Sequence, residues 1–177
     1  IIIELIGSPF TKQIFDICGD ICKKNIQYIH DFILPIIFTQ YSNFDIPLLC
    51  QACNITAKSY REIQDDVTGD FLAQALSTKE ISICEHILIE FNEIRFPPYP
   101  PLILSLLNLL ENPDEDITKF GPCYMSQQFI FELTQCYTDE MIEIVNSYLH
   151  TTFPNIYQQS LDSTNVGHFL RCLYTIL

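Results

Sequence analysis

Ser8-Pro9-Phe10-Thr11-Lys12-Gln13-Ile14-Phe15-Asp16-Ile17-Cys18-Gly19-Asp20-Ile21-Cys22 is the stretch whose period decides the fold class. Its apolar residues Phe10, Ile14, Ile17, Cys18, Ile21 and Cys22 fall at i, i+4, i+7, i+8, i+11 and i+12, one stripe of an α-helix. Ser8 offers a cap, and Pro9 suits a first turn whose amide hydrogen has no partner anyway. The same period continues outward. Residues 26–42 are apolar around much of the circumference, as in a helix buried between neighbours, and Pro35 is expected to kink it. Asp45 and Pro47 open a third helix that runs toward Ile63. Around Gly69 the pattern breaks and restarts at Phe71. Ser77 and Glu80, three residues apart, form a capping box ahead of a helix carrying Ile81, Cys84, Ile87, Leu88 and Phe91.

Phe96-Pro97-Pro98-Tyr99-Pro100-Pro101 is the clearest punctuation in the chain. Helical patterns resume at 102–110, at Met125–Cys136, and at Thr138–Leu149 with Thr138 as cap. Pro154 is expected to start a short helix, and the last helix carries Val166, Phe169, Leu170, Leu173 and Leu177. Sustained apolar–polar alternation and Asn-Gly or Asp-Gly hairpins are absent, so the fold class is all-α. Residues 1–177 read as a single α-helical repeat segment with antiparallel pairs at 9–42, 46–76, 79–110, 125–150 and 154–177. That loose period lies near the lower end for HEAT and armadillo units, about 40–47 residues, and predicts a HEAT/armadillo-like solenoid segment. Apolar residues at both ends, Ile1-Ile2-Ile3 and Leu173 to Leu177, lead us to expect a piece of a longer helical array.

Of the 177 residues, 48% are hydrophobic and 18% charged, ample for a core and outside the disordered class. There are 22 acidic side chains against 9 basic ones, a net charge of −13, which argues against nucleic acid and against an anionic membrane surface as partners. The imbalance is local: residues 62–143 hold 16 acids and only Lys79, Arg95 and Lys119 as bases. The plain reading is a well-solvated surface; the sharper one is a docking face that steers a basic protein partner. The candidate partner-binding residues are Asp65, Asp66, Asp70, Glu111, Asp114, Glu115 and Asp116. No apolar stretch reaches the roughly 18–20 residues a bilayer span needs, and no basic segment precedes Ile1 as a signal peptide requires.

Eight cysteines lie mostly within helix-periodic apolar segments and read as reduced core residues, which points to cytoplasm or nucleus. Cys18 and Cys22 with Cys50 and Cys53 have the residue types of a zinc site, but their spacing puts them on apolar helix faces, so packing is the favoured reading. Cys84 and His86, two apart, point to different faces of one helix and form no local nucleophile–base pair. The acids lack the Glu-x-x-His pairs of a di-metal bundle, and the five glycines are isolated. No catalytic residue, metal or cofactor is therefore expected.

Ile29-His30-Asp31-Phe32-Ile33-Leu34-Pro35-Ile36-Ile37 and Pro100-Pro101-Leu102-Ile103-Leu104-Ser105-Leu106-Leu107 resemble the proline-containing helices of HEAT repeats. Together with the acidity and the buried cysteines, they make residues 9–177 resemble nuclear transport receptors of the importin-β, transportin and exportin type. The resemblance implies a superhelical scaffold that binds a small GTPase and a basic cargo, and it assigns no individual binding residue. A second resemblance gives an alternative. Phe15-Asp16-Ile17-Cys18-Gly19-Asp20-Ile21-Cys22 is similar to the amphipathic death motif, implying a self-contained bundle of the apoptosis-regulator or viral immune-modulator type that binds an amphipathic helix.

Overall fold

Most helices begin where a side chain or a proline resolves the unpaired amides of the first turn. Asn25 Oδ1 accepts from the Tyr28 amide at 3.4 Å, Asp45 Oδ1 from Leu48 at 3.0 Å, and Asp65 Oδ1 from Thr68 at 3.0 Å. Prolines occupy the first turns that begin at Ile46, Pro100 and Pro122. The resulting computed structural model describes residues 6, 8–22, 24–92, 95–110 and 121–159, with side chains at all of these except 22 and 152–159.

Eight helices are present among the described residues. They are α1 (Thr11–Cys22), α2 (Ile26–Tyr28, a π-helical turn Ile29–Ile33, then Leu34–Gln40), α3 (Ile46–Ile63), α4 (Asp66–Ser77), α5 (Ile81–Phe91), α6 (Pro100–Leu109), α7 (Pro122–Cys136) and α8 (Thr138–Gln159). The described residues contain no strand, so the all-α reading holds. They form two compact units, Ile1–Ile94 and Arg95–Leu177, divided just before the proline run at 97–101.

In the first unit α3 is central and packs most extensively against α5 and α1. Its buried residues are mostly small, Cys50, Ala52, Cys53, Thr56, Ala57 and Ser59, which lets a helix approach closely on either side. α4 packs on both α3 and α5. Phe71 of α4 meets Phe38 of α2 at 4.7 Å between ring centroids and Tyr41 at 5.3 Å. In the second unit α6 buries Leu102, Ile103, Leu106 and Leu107 and packs on α7 and α8. Phe96, fully buried, stacks 5.4 Å from Phe129, and the Arg95 guanidinium pairs with Glu132.

Several local expectations change. Ahead of Pro35, where a kink is expected, the helix carries a π-turn: the Leu34 amide bonds the Ile29 carbonyl five residues back. Gly69 lies inside α4, with its amide bonded to the Asp65 carbonyl at 3.0 Å. The break falls earlier, at Gln64 in the left-handed region (φ 51°) and the Asp65 cap. The Ser77/Glu80 capping box does not form. Ser77 stays in α4 and donates to the Ala73 carbonyl at 2.8 Å, while Glu80 takes the cap position of α5 and its amide bonds Thr78 Oγ1 at 3.3 Å. Thr138 is likewise inside α8, donating to the Thr134 carbonyl at 2.9 Å. α8 runs on through Pro154 to Gln159, because no residue before the proline leaves helical backbone to let a new helix start. The rest of the 154–177 pair lies outside the described residues.

Candidate functional site

α1 and α5 flank α3 and leave a groove whose floor is α3. Asp16, Gly19 and Asp20 of α1, Gln51, Asn54 and Lys58 of α3, and His86 of α5 border a cavity of about 330 Å³. A second cavity of about 600 Å³ continues toward the start of α3, past Leu48, Pro47 and Asp45, and shares Gln51 and His86 with the first. From Asp45 to Lys58 the floor spans about 20 Å at 1.5 Å per residue.

The groove is held open by hydrogen bonds between its floor and walls. Gln51 Nε2 donates to Asp16 Oδ1 at 2.7 Å. Asn54 Nδ2 donates to Glu90 Oε1 at 2.8 Å and to the His86 carbonyl at 3.4 Å. Glu90, only 12% exposed, also takes Arg61 NH1 at 3.0 Å and lies 3.7 Å from Lys58 Nζ. A carboxylate this shielded persists because it is paired and hydrogen-bonded on both oxygens. An ideal Cβ at Gly19 would meet no heavy atom within 4 Å, so the α1 wall is open there.

Of the sequence-derived acids, Asp66 and Asp70 are exposed on α4, four residues apart on one helix edge. Asp65 is half-buried and structural: one oxygen caps α4 and the other meets His30 Nε2 at 3.0 Å. Glu111, Asp114, Glu115 and Asp116 lie outside the described residues.

His30, in the π-turn of α2, was not among the sequence candidates. Its Nδ1 faces Asp31 Oδ1 at 3.0 Å as its Nε2 faces Asp65. The bond to Asp31 and the bond and charge of Asp65 outweigh burial and raise its pKa above the usual histidine value. Asp31 is lowered by its bonds from His30 and Gln27. Burial alone would raise Asp65, but hydrogen bonds from Thr68 and His30 bring it below the usual carboxylate range.

Cys18, Cys50, Cys53 and Cys84 are buried core residues, whereas Cys123 is half-buried and Cys136 exposed. Cys136 thus departs from the buried-core expectation: it is the last residue of α7 and lies exposed there. Burial, with Cys50 and Cys84 adjoining, pushes the Cys53 thiol up to about 12. Among the described residues no three His, Cys, Asp or Glu side chains gather as metal ligands, and no helix is long and apolar enough to cross a membrane. His86 Nδ1 is 2.7 Å from the Ser82 carbonyl and Cys84 Sγ is 3.8 Å from the Leu76 carbonyl, so neither engages the other. Within residues 15–22, Phe15 and Cys18 are buried, while Gly19 and Asp20 line the groove.

No family model, curated protein or solved structure matches the chain.

Proposed function

We propose that the chain is a non-enzymatic, protein-binding helical-repeat scaffold, a HEAT/armadillo-like stack that holds a segment of its partner in the groove over α3. The observation that carries this reading is a constant advance of 35 residues. α1, α3 and α5 begin at Thr11, Ile46 and Ile81. Contacts between successive pairs keep the same separation: Asp16 to Gln51 is 35 residues, His30 to Asp65 is 35, and Asn54 to Glu90 is 36. A stack of equal units produces such a register, because each pair meets the next in the same way. The advance is somewhat shorter than the period near 40 expected from the helical pattern alone.

The test is peptide selection. Short random peptides displayed on phage are selected on the immobilised chain and synthesised, and their affinities measured on wild type, Gly19→Ala and Gly19→Trp. The open space around an added Cβ at Gly19 accommodates alanine, tryptophan is the variant large enough to reach into the groove, and circular dichroism shows that each variant is folded. Binding lost in Gly19→Trp and kept in Gly19→Ala supports the scaffold; selected peptides indifferent to both would overturn it. On the transport-receptor version of this reading the partners are a basic cargo and a small GTPase. Affinity for the cargo should then fall when Asp66 and Asp70 are reversed to lysine, by more than the same reversal lowers affinity for an uncharged peptide. The bundle alternative predicts an amphipathic helix whose binding barely responds to salt.

A further inference from the structure

The groove's remaining hydrogen-bonding capacity is weighted toward acceptors and negative charge, with Lys58 and the second Gln51 amide hydrogen as the donors of the floor. Asn54 spends both amide hydrogens, on Glu90 Oε1 and the His86 carbonyl, which leaves its Oδ1 as an acceptor. His86 Nδ1 sits 2.7 Å from the Ser82 carbonyl, an acceptor only, so Nδ1 carries a hydrogen and Nε2 is the ring nitrogen left for a ligand. On the opposite wall Asp16 keeps a second carboxylate oxygen beyond the one bonded by Gln51, and Asp20 makes no hydrogen bond or ion pair among the described residues. The cationic group of the lining, the Lys58 ammonium, is turned to Glu90 at 3.7 Å. Gln51 Oε1, shielded from solvent, accepts nothing.

We infer that the cavity bordered by Asp16, Asp20, Asn54 and His86 is a subsite for an arginine side chain of a partner protein. Guanidinium offers five N–H donors in a planar fork and no acceptor, which complements the two carboxylates of the α1 wall and the Asn54 carbonyl oxygen facing them. Asp16 and Asp20, four apart on α1, lie on neighbouring turns of one face, and Gly19 between them leaves the wall unobstructed. Lysine matches the charge but not the fork, and an acidic or acceptor-rich side chain meets like polarity on both walls.

This inference rests on the groove being the scaffold's docking site, and the two are separated by using the same selected peptides. Peptides whose binding is lost in Gly19→Trp should share an arginine. Replacing that arginine by lysine should weaken binding about tenfold, the scale of one charge-assisted bond. The isosteric Asp16→Asn/Asp20→Asn variant keeps the Gln51 contact and should lose about tenfold and flatten the salt dependence. Groove-dependent peptides without an arginine, or with affinities that Asp16→Asn/Asp20→Asn leaves unchanged, would overturn the arginine subsite and leave the scaffold reading standing. If no selected peptide responds to Gly19→Trp, both fall. Circular dichroism of each variant shows that the fold is retained.

Discussion

Glu90 is the residue on which the α3–α5 contact is most exposed to a single change. Its carboxylate accepts from Asn54 at 2.8 Å and Arg61 at 3.0 Å, lies 3.7 Å from Lys58, and is only 12% exposed. Replacing it with alanine leaves a guanidinium and an ammonium, 29% and 25% exposed, without their counter-charge. The shielded Arg61 Nε already lacks an acceptor, so the guanidinium gains no local substitute. A fully buried pair broken from one side costs about 3–5 kcal/mol, and an exposed pair about 0–1. With both bases able to regain part of their hydration, the cost of Glu90→Ala is about 2–3 kcal/mol. Glu90→Gln keeps shape and one acceptor and should cost about 1 kcal/mol. Urea unfolding followed by far-ultraviolet circular dichroism reads both. In the double variant Arg61→Ala/Glu90→Ala the loss should fall short of the sum of the single losses by about 1 kcal/mol or more, because the guanidinium is no longer stranded and only the Lys58 ammonium lacks its counter-charge. A Glu90→Ala cost below about 0.5 kcal/mol, the range of ordinary surface changes, would refute the assignment of this cluster as the α3–α5 tie.

Three further outcomes are expected. His30, held above the ordinary histidine pKa by Asp31 and Asp65, stabilises the fold fully below the unfolded value of about 6.5 and loses that contribution as pH rises through the raised native value. An NMR titration should place His30 above 6.5 and move it down in Asp65→Asn, which retains the α4 cap; an unshifted ring would remove the bridge. Gly19→Ala should stabilise by about 0.5–1 kcal/mol, since a glycine inside α1 with open space at its Cβ carries only an entropic cost; destabilisation in thermal melts would contradict that. In the native protein, iodoacetamide should label exposed Cys136 well ahead of Cys53, whose burial pushes its thiol up to about 12. Comparable labelling of the two by peptide mass spectrometry would show that the core opens there.

Helix existence was legible in the sequence because a period of 3.6 is local; helix rotation was not. The α1 stripe read as Phe10, Ile14, Ile17, Cys18 and Ile21, yet the structure covers Ile14, Phe15 and Cys18 and leaves Phe10 59% and Ile17 53% exposed. α1 packs chiefly on α3 and the π-turn, so the face that is covered is set by those neighbours, and Phe10 and Ile17 beyond it stay in solvent. Gly69 and the Ser77/Glu80 pair misled for a related reason. Weak helix formers and cap residues mark boundaries only where the backbone leaves the helix, and it leaves at Gln64 and Lys79, both at positive φ. The acidic surplus was visible as composition. Which acids are structural was not, since Asp65 and His30 are 35 residues apart and only tertiary packing joins them.

The same long separations connect stability with binding. Asp16–Gln51 and Asn54–Glu90 join α1 to α3 and α3 to α5 through amide hydrogens donated by the floor to both walls. Each donor used to lock the layer is withdrawn from the groove, while the Asn54 carbonyl oxygen and the second Asp16 oxygen remain. Locking therefore shifts the polarity of the site: Asn54, with both amide hydrogens tied up, faces the acidic α1 wall with its carbonyl oxygen. The inverse substitution makes the point testable within one helix. Gln51→Lys extends an ammonium from the floor toward Asp16 and should preserve the α1–α3 contact as an ion pair. It also places a cation beside the inferred arginine subsite, so binding of arginine-bearing peptides should fall at least tenfold while the urea midpoint stays within the range of a surface change. Loss of stability together with binding would show that the amide is needed for packing alone, and undiminished binding would show that the groove does not read charge.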